Sequence, residues 1–136
     1  MSEAMRVLVC GSRTWSDYGL FCSALEVCGV EAQELQGTGS PVIVVVHGAA
    51  RGADSMADQW VSDRARMGYR VSVERHPADW DRHGKGAGPI RNRAMAKSGA
   101  DRCLAFWDGE SRGTLDMITV ATKHGIPVRI VPKAKP

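Results

Sequence analysis

Aromatic residues make up only 6% of this 136-residue sequence, and no apolar run approaches the roughly 18 residues that a bilayer span needs. A membrane-spanning helix is therefore excluded, and no membrane partner is expected. Cysteine is also sparse: Cys10, Cys22, Cys28 and Cys103 form neither a CxxC pair nor a zinc spacing. Cys10 and Cys103 lie in apolar runs, where a thiol behaves as a small hydrophobe. His76 and His83 are too loosely spaced to make a metal site, so neither metal nor cofactor is expected. Met1-Ser2-Glu3-Ala4 lacks a signal-peptide pattern, because the Val7-Leu8-Val9 run that follows is too short. The cytoplasm is the expected compartment.

The formal charge is only +3, low for a general nucleic-acid binder, but it is unevenly placed. From Arg75 to Lys97 six cations face two acids, a net +4, so the rest of the chain carries about −1. A basic stretch in a nearly neutral chain points to an anionic ligand. The length fits one domain with a real core.

What is abundant is glycine, at 15 residues, and its placement organises the chain. Val42 to Val46 is a continuous β-branched run, as in a strand buried on both faces of a parallel sheet. It ends in His47-Gly48-Ala49-Ala50-Arg51-Gly52, followed by Asp54. Beyond that, Ala53, Met56, Ala57, Trp60, Val61 and Ala65 fall at helical spacing. A strand, a small-residue turn and a helix start of this kind present free backbone N–H groups and a positive dipole end to an anion. Arg51 can add a planar fork of donors. The plainer alternative is a tight turn whose Asp54 caps the helix.

The rest of the chain repeats the pattern. Arg6 to Cys10 reads as the first strand, ending at Gly11-Ser12-Arg13. Ser16 or Asp17 can cap the next helix, whose buried face is Tyr18, Phe21, Leu25 and Cys28, and Gly29 is expected to stop it. Glu31 to Ser40 is expected to be a polar connection. Arg70 to Glu74 alternates like an edge strand. His76 to Gly88 is too long for a routine connection, and such loops are often functional. Pro89 suits a first helical turn, with Ile90, Ala94 and Met95 as its apolar face. Arg102 to Trp107 is the fourth strand, followed by the loop Asp108 to Thr114. Leu115, Ile118, Ala121 and Thr122 form the next helix stripe. Pro127 to Val131 is the last strand, and Pro132 to Pro136 is expected to fray.

Five strands alternating with four helices predict a single Rossmann-like α/β domain, a parallel sheet with helices on both faces. The favoured strand order is 3-2-1-4-5, which puts the switch point between strands one and four. Three glycine turns then open at one sheet edge, each with an arginine: Arg13, Arg51 and Arg112. That convergence predicts one pocket containing Ser12, Arg13, Gly48, Gly52, Gly113 and Thr114. Trp80 and Trp15 can stack on a base or anchor their loops. His47 can bond the neighbouring turn instead of acting as acid or base.

Gly11-Ser12-Arg13, the stretch His47 to Asp54, Ala78-Asp79-Trp80, Gly88-Pro89-Ile90-Arg91-Asn92 and Gly113-Thr114 with Asp116 follow one another in a recognisable order. In these pieces, over nearly the whole chain, the sequence resembles the YspA-like (cpYpsA-related) branch of the SLOG superfamily, named for Smf/DprA and the Lonely-guy enzymes. The resemblance implies a Rossmann-like fold and a nucleotide or nucleotide-derived, ADP-ribose-like ligand, with Gly11, His47, Ala49, Arg51, Asp54, Trp80, Arg91 and Asn92 joining the pocket residues. It also implies a homodimer or higher homo-oligomer.

The sequence is more weakly similar to the Lonely-guy phosphoribohydrolases, which cleave the N-glycosidic bond of a nucleoside monophosphate. Their Pro-Gly-Gly is missing here, since the loop reads Asp108-Gly109-Glu110-Ser111-Arg112-Gly113-Thr114. Asp116 is nearest to their catalytic Glu, and Arg91 or Arg93 to their Arg. Such hydrolysis needs a carboxylate beside the ribose and cations on the phosphate. Asp116, Glu110 and Arg91 are the catalytic candidates, with Asp116 alternatively a first-turn acid complementing the helix dipole. A second class is single-strand nucleic-acid binding as in DprA, through Arg82, Lys85, Arg91 and Arg93 with Trp80.

Overall fold

The computed structural model describes residues 4–37 and 41–133. Five strands, β1 (Met5–Gly11), β2 (Val42–His47), β3 (Arg70–Arg75), β4 (Arg102–Trp107) and β5 (Val128–Pro132), form one sheet in the order β3-β2-β1-β4-β5. Every pairing is parallel, with Val7 opposite Val45 on one side and Val9 opposite Leu104 on the other. The expected strand order is therefore the observed one. Helices α1 (Tyr18–Gln36) and α2 (Ala53–Arg66) cover one face, and α4 (Ala87–Ser98) and α5 (Arg112–Lys123) cover the other. The β-branched and small residues of β1, β2 and β4 alternate between two cores. Val7, Val9 and Phe106 pack with Phe21, Leu25 and Trp60. Leu8, Cys10 and Ala105 pack with Met95, Met117 and Ala121.

Several local expectations change. Gly29 does not stop α1, which runs on to Gln36 and ends at Gly37 with φ +91°. Cys28 and Ala32 are both buried on the same face, and that packing outweighs the roughly 1 kcal/mol cost of a helical glycine. Most of the expected connection from Glu31 is therefore helix, and residues 38–40 lie outside the described part. Gln36 bridges to β2, donating to Val42 O at 3.0 Å and accepting from Val42 N at 2.8 Å. Asp17, not Ser16, caps α1, accepting from Leu20 N at 2.9 Å.

The inward face of α5 is Thr114, Met117 and Ala121, while Leu115 is exposed. A polar residue at the head of the stripe hid the true face. The same holds for α4, where Asn92 is buried with Met95 and Ala96 while Ile90 is exposed. The long segment before α4 folds into the short helix α3 (Trp80–His83), capped by Asp79, and a 3₁₀ turn at Gly84–Gly86. At the far end Pro132 belongs to β5, opposite Trp107; residues 134–136 of the tail expected to fray are outside the described part. No helix among the described residues is long and apolar enough to cross a membrane.

At the exposed edge of the sheet Glu74 accepts both guanidinium donors of Arg6, at 2.9 and 2.8 Å, and contacts His76 at 2.7 Å. Arg6 first, then His76, holds the Glu74 carboxyl at about 2, below its ordinary 4.5. A depressed carboxyl stabilises the fold above its unfolded value and loses that contribution as pH falls from about 4.5 towards 2. Because the pair is partly solvent-exposed, the contribution is at most about 1 kcal/mol. Glu74→Gln should remove that part of the acid dependence, read from urea titrations at pH 5 and pH 3. An unchanged difference between the two pH values would show that the pair does not matter for stability.

Candidate functional site

The carboxyl ends of β1, β2 and β4 open on the same edge of the sheet. After β1, a Cβ on Gly11 would stand 2.7 Å from both Ala53 Cβ and Phe106 O, so α2 and β4 press directly on this turn. Ser12 is buried, donates its N–H to Phe106 O at 2.9 Å and accepts from Asp108 N at 3.1 Å through Oγ. The β1 and β4 turns are thereby tied together. Trp15 is buried edge-on against Phe106, with ring centroids 5.4 Å apart. It anchors its loop and is not free to stack on a base. Arg13 stays exposed beside the cleft.

The turn after β2 is built from its own side chains. His47 is fully buried; Nδ1 accepts from Ala49 N at 2.9 Å, which leaves the proton on Nε2, 2.7 Å from Asp58 Oδ1. Both ring nitrogens are thus engaged within the protein. Asp54 sits in the first turn of α2 but reaches backwards: its Oδ2 accepts from Gly48 N at 3.2 Å and Ala50 N at 3.1 Å. Three amides of this turn are therefore already taken by His47 and Asp54. This differs from the expectation of free N–H groups there, because a buried acid and a buried imidazole outcompete solvent for short-range donors. Ala49 adopts φ +58°, a conformation that costs a non-glycine residue free energy. Gly52, at φ +75°, closes the turn against the backbone of Ser12 and Arg13. Burial pushes the Asp54 carboxyl up, opposed by the Ala50 N–H, the charge of Arg91 and the Gly48 N–H.

From α4, Arg91 reaches across the cleft. Its Nη1 donates to Gly48 O and to His76 O at 3.4 Å, and its Nε to Asn92 Oδ1 at 2.9 Å. Asn92 is itself buried, and its Nδ2 donates to Asp116 Oδ2 at 2.9 Å and Gly113 O at 3.4 Å. One chain of hydrogen bonds therefore joins the β2 turn to the start of α5. Burial, together with the nearby positive charge of Arg13, holds the Arg91 guanidinium below its usual value, while Asp54 opposes the shift. Two guanidiniums lining one cleft repel each other unless an anion lies between them.

After β4, Asp108 Oδ1 accepts from Glu110 N and Ser111 N, both at 2.8 Å, and Ser111 caps α5. A Cβ on Gly113 would meet nothing within 4 Å, so this turn faces open space. Three adjoining hollows result. A deep slot of about 80 Å³ has Cys10, Gly11, Asp54, Asn92, Gly113 and Thr114 in its walls. A lobe of about 320 Å³ lies over Gly48 to Arg51 and Pro77-Ala78, and one of about 400 Å³ over Gly88-Pro89, Arg112, Gly113 and Asp116. Arg13 and Arg91 line all three, and the half-exposed Trp80 walls both outer lobes.

Of the candidate residues, Glu110 and Arg93 are exposed and line none of these hollows, and Ser12, His47 and Gly52 line none of them either. Met95 and Met117 form part of the slot, which their apolar character did not signal. Among the described residues no group of three His, Cys, Asp or Glu side chains could hold a metal.

An all-parallel 3-2-1-4-5 sheet with an arginine-lined cleft at its carboxyl edge defines a Rossmann-like α/β domain. Residues 5–83 match the YspA, cpYpsA-related SLOG family, and the chain belongs to that family. It is 48% identical over 124 residues to the "Gene 61 protein" of Mycobacterium phage D29, a match covering 90% of this chain and 93% of the phage protein. No solved structure matches. The family match ends at His83, and the fold brings Arg91, Asn92, Gly113, Thr114 and Asp116, which lie beyond it, to the same cleft.

Proposed function

We propose that the protein binds a nucleotide or nucleotide-derived, ADP-ribose-like ligand in this cleft. The observation that carries the reading is that Arg13 and Arg91 are common to all three hollows. A phosphate between them would relieve their repulsion and gain charge-assisted bonds. Trp80, between the two outer lobes, offers a face for a base. Membership of the SLOG family is consistent with nucleotide-related binding. The test is a thermal-shift series with AMP, ADP-ribose and adenosine. The phosphate-bearing ligands should raise the melting temperature, by the equivalent of about 2.7 kcal/mol at a hundredfold excess over Kd; adenosine should do so far less. No shift with either phosphate-bearing ligand would overturn the reading.

Hydrolysis of the N-glycosidic bond is a second reading, favoured by one contact: Asn92 fixes Asp116 at 2.9 Å beside the larger lobe. A carboxylate held there can stabilise positive charge growing on the sugar as the base departs. Incubation with purine nucleoside monophosphates should then release free base in the wild type and in Glu110→Gln, which lies outside the cleft, but not in Asp116→Asn. Release that survives Asp116→Asn, or no release from a nucleotide that binds, would leave a ligand-binding protein without this chemistry.

A further inference from the structure

Among the described residues Asp54 Oδ1 is a buried carboxylate oxygen with no hydrogen-bond partner, and Asp54 lines the deep slot. The other buried orphans, on Glu31 and Trp60, line none of the three hollows. An unpaired buried acceptor is costly, more so when charged. The fold fixes this one firmly, because Oδ2 is committed to the Gly48 and Ala50 amides and the carboxylate cannot turn away.

The neighbours narrow what can satisfy Oδ1. Arg13 and Arg91 line the same slot and repel a cationic ligand group. Asp54 itself repels a phosphate oxygen. Asn92 is used up on both sides, its Oδ1 by Arg91 and its Nδ2 by Asp116 and Gly113. What suits Oδ1 on a ligand is a neutral donor, small enough for the smallest of the three hollows and next to an anion held by the arginines. A hydroxyl on the sugar of a sugar phosphate has this chemistry.

We propose that Asp54 Oδ1 accepts a hydrogen bond from a ribose hydroxyl, making Asp54 a specificity-determining residue that selects ribosyl over deoxyribosyl phosphates. The inference rests on the nucleotide reading above and adds to it which sugar the cleft takes. A ligand lacking the hydroxyl leaves the carboxylate oxygen unpaired, which is the situation in which a site discriminates most strongly.

The experiment is calorimetric titration of the wild type with AMP, 2′-deoxy-AMP and 3′-deoxy-AMP, repeated with ribose 5-phosphate and 2-deoxyribose 5-phosphate. A ribosyl form should bind roughly tenfold or more tightly than at least one deoxy counterpart. In Asp54→Ala no polar atom is left at this position to meet the hydroxyl, so the preference should fall to within about threefold. Ribosyl and deoxyribosyl forms that bind the wild type within twofold of each other overturn this inference and leave the nucleotide reading standing. Undiminished discrimination in folded Asp54→Ala also overturns it. No binding by any of the five probes overturns both. The wild-type comparison decides the matter even where the variant does not fold.

Discussion

Arg91→Ala should weaken binding of a nucleoside monophosphate roughly 10- to 150-fold, the equivalent of about 1.5–3 kcal/mol for a hydrogen bond to a charged group. Arg91 lines every part of the cleft, and its guanidinium is already oriented by Gly48 O, His76 O and Asn92 Oδ1. An anion meeting it gains a donor that has lost most of its rotamer freedom beforehand. The same substitution should lower stability by about 1–2 kcal/mol, because Gly48 O and Asn92 Oδ1 lose their donor. Arg91→Lys should rescue little, since a single ammonium cannot reach the carbonyl and the amide together. Arg51→Ala is the contrast. Arg51 is exposed and lines one lobe only, so its loss should leave stability within about 0.5 kcal/mol of the wild type. Titration calorimetry with AMP checks the first effect and urea denaturation the second. An unchanged Kd in Arg91→Ala would place the phosphate elsewhere.

The behaviour of Arg91 shows which parts of the molecule were legible in the sequence. The strands followed from the β-branched run of β2, the alternation of β3 and short glycine turns, all signals carried within ten residues, and their order from the alternation with helices. The edge at which those turns gather followed from topology. Pairings across the fold were not visible. Arg91 meets Gly48 across 43 residues of sequence and Asn92 meets Asp116 across 24, and nothing local marks either partner. Polar residues turned inwards misled the periodicity: Asn92 lies on the buried face of α4 and Thr114 heads that of α5, where an apolar count expects Ile90 and Leu115. Trp15 and Trp80 both sit in polar surroundings in the sequence, yet one is buried against Phe106 and the other stands half-exposed at the cleft. The β2 turn reads in sequence either as an anion cradle or as a tight turn that His47 bonds, and the structure shows His47 and Asp54 filling three of its amides.

Gly52→Ala should have the largest effect on stability, about 3 kcal/mol or more. Two costs combine. The residue has φ +75°, where a Cβ is strained in any surroundings. The added methyl would also overlap Ser12 O and stand 2.8 Å from Arg13 C, both backbone atoms. Neither can yield easily. Ser12 N is bonded to Phe106 O at 2.9 Å, and Ser12 O accepts from Trp15 N at 3.1 Å, with the Trp15 ring in the core. Moving them would pull β1 from β4 or expel a buried tryptophan. Gly113→Ala is the matched control: a Cβ there meets nothing within 4 Å, and the residue lies in the first turn of α5. Alanine at that position should leave stability unchanged or raise it by up to about 1 kcal/mol, through helix propensity and a less flexible unfolded chain. Urea midpoints at constant m-value would compare the two. Equal midpoints for Gly52→Ala and the wild type would mean that the β1 and β2 turns do not lock together as described, and that the cleft they wall is looser than its contacts require.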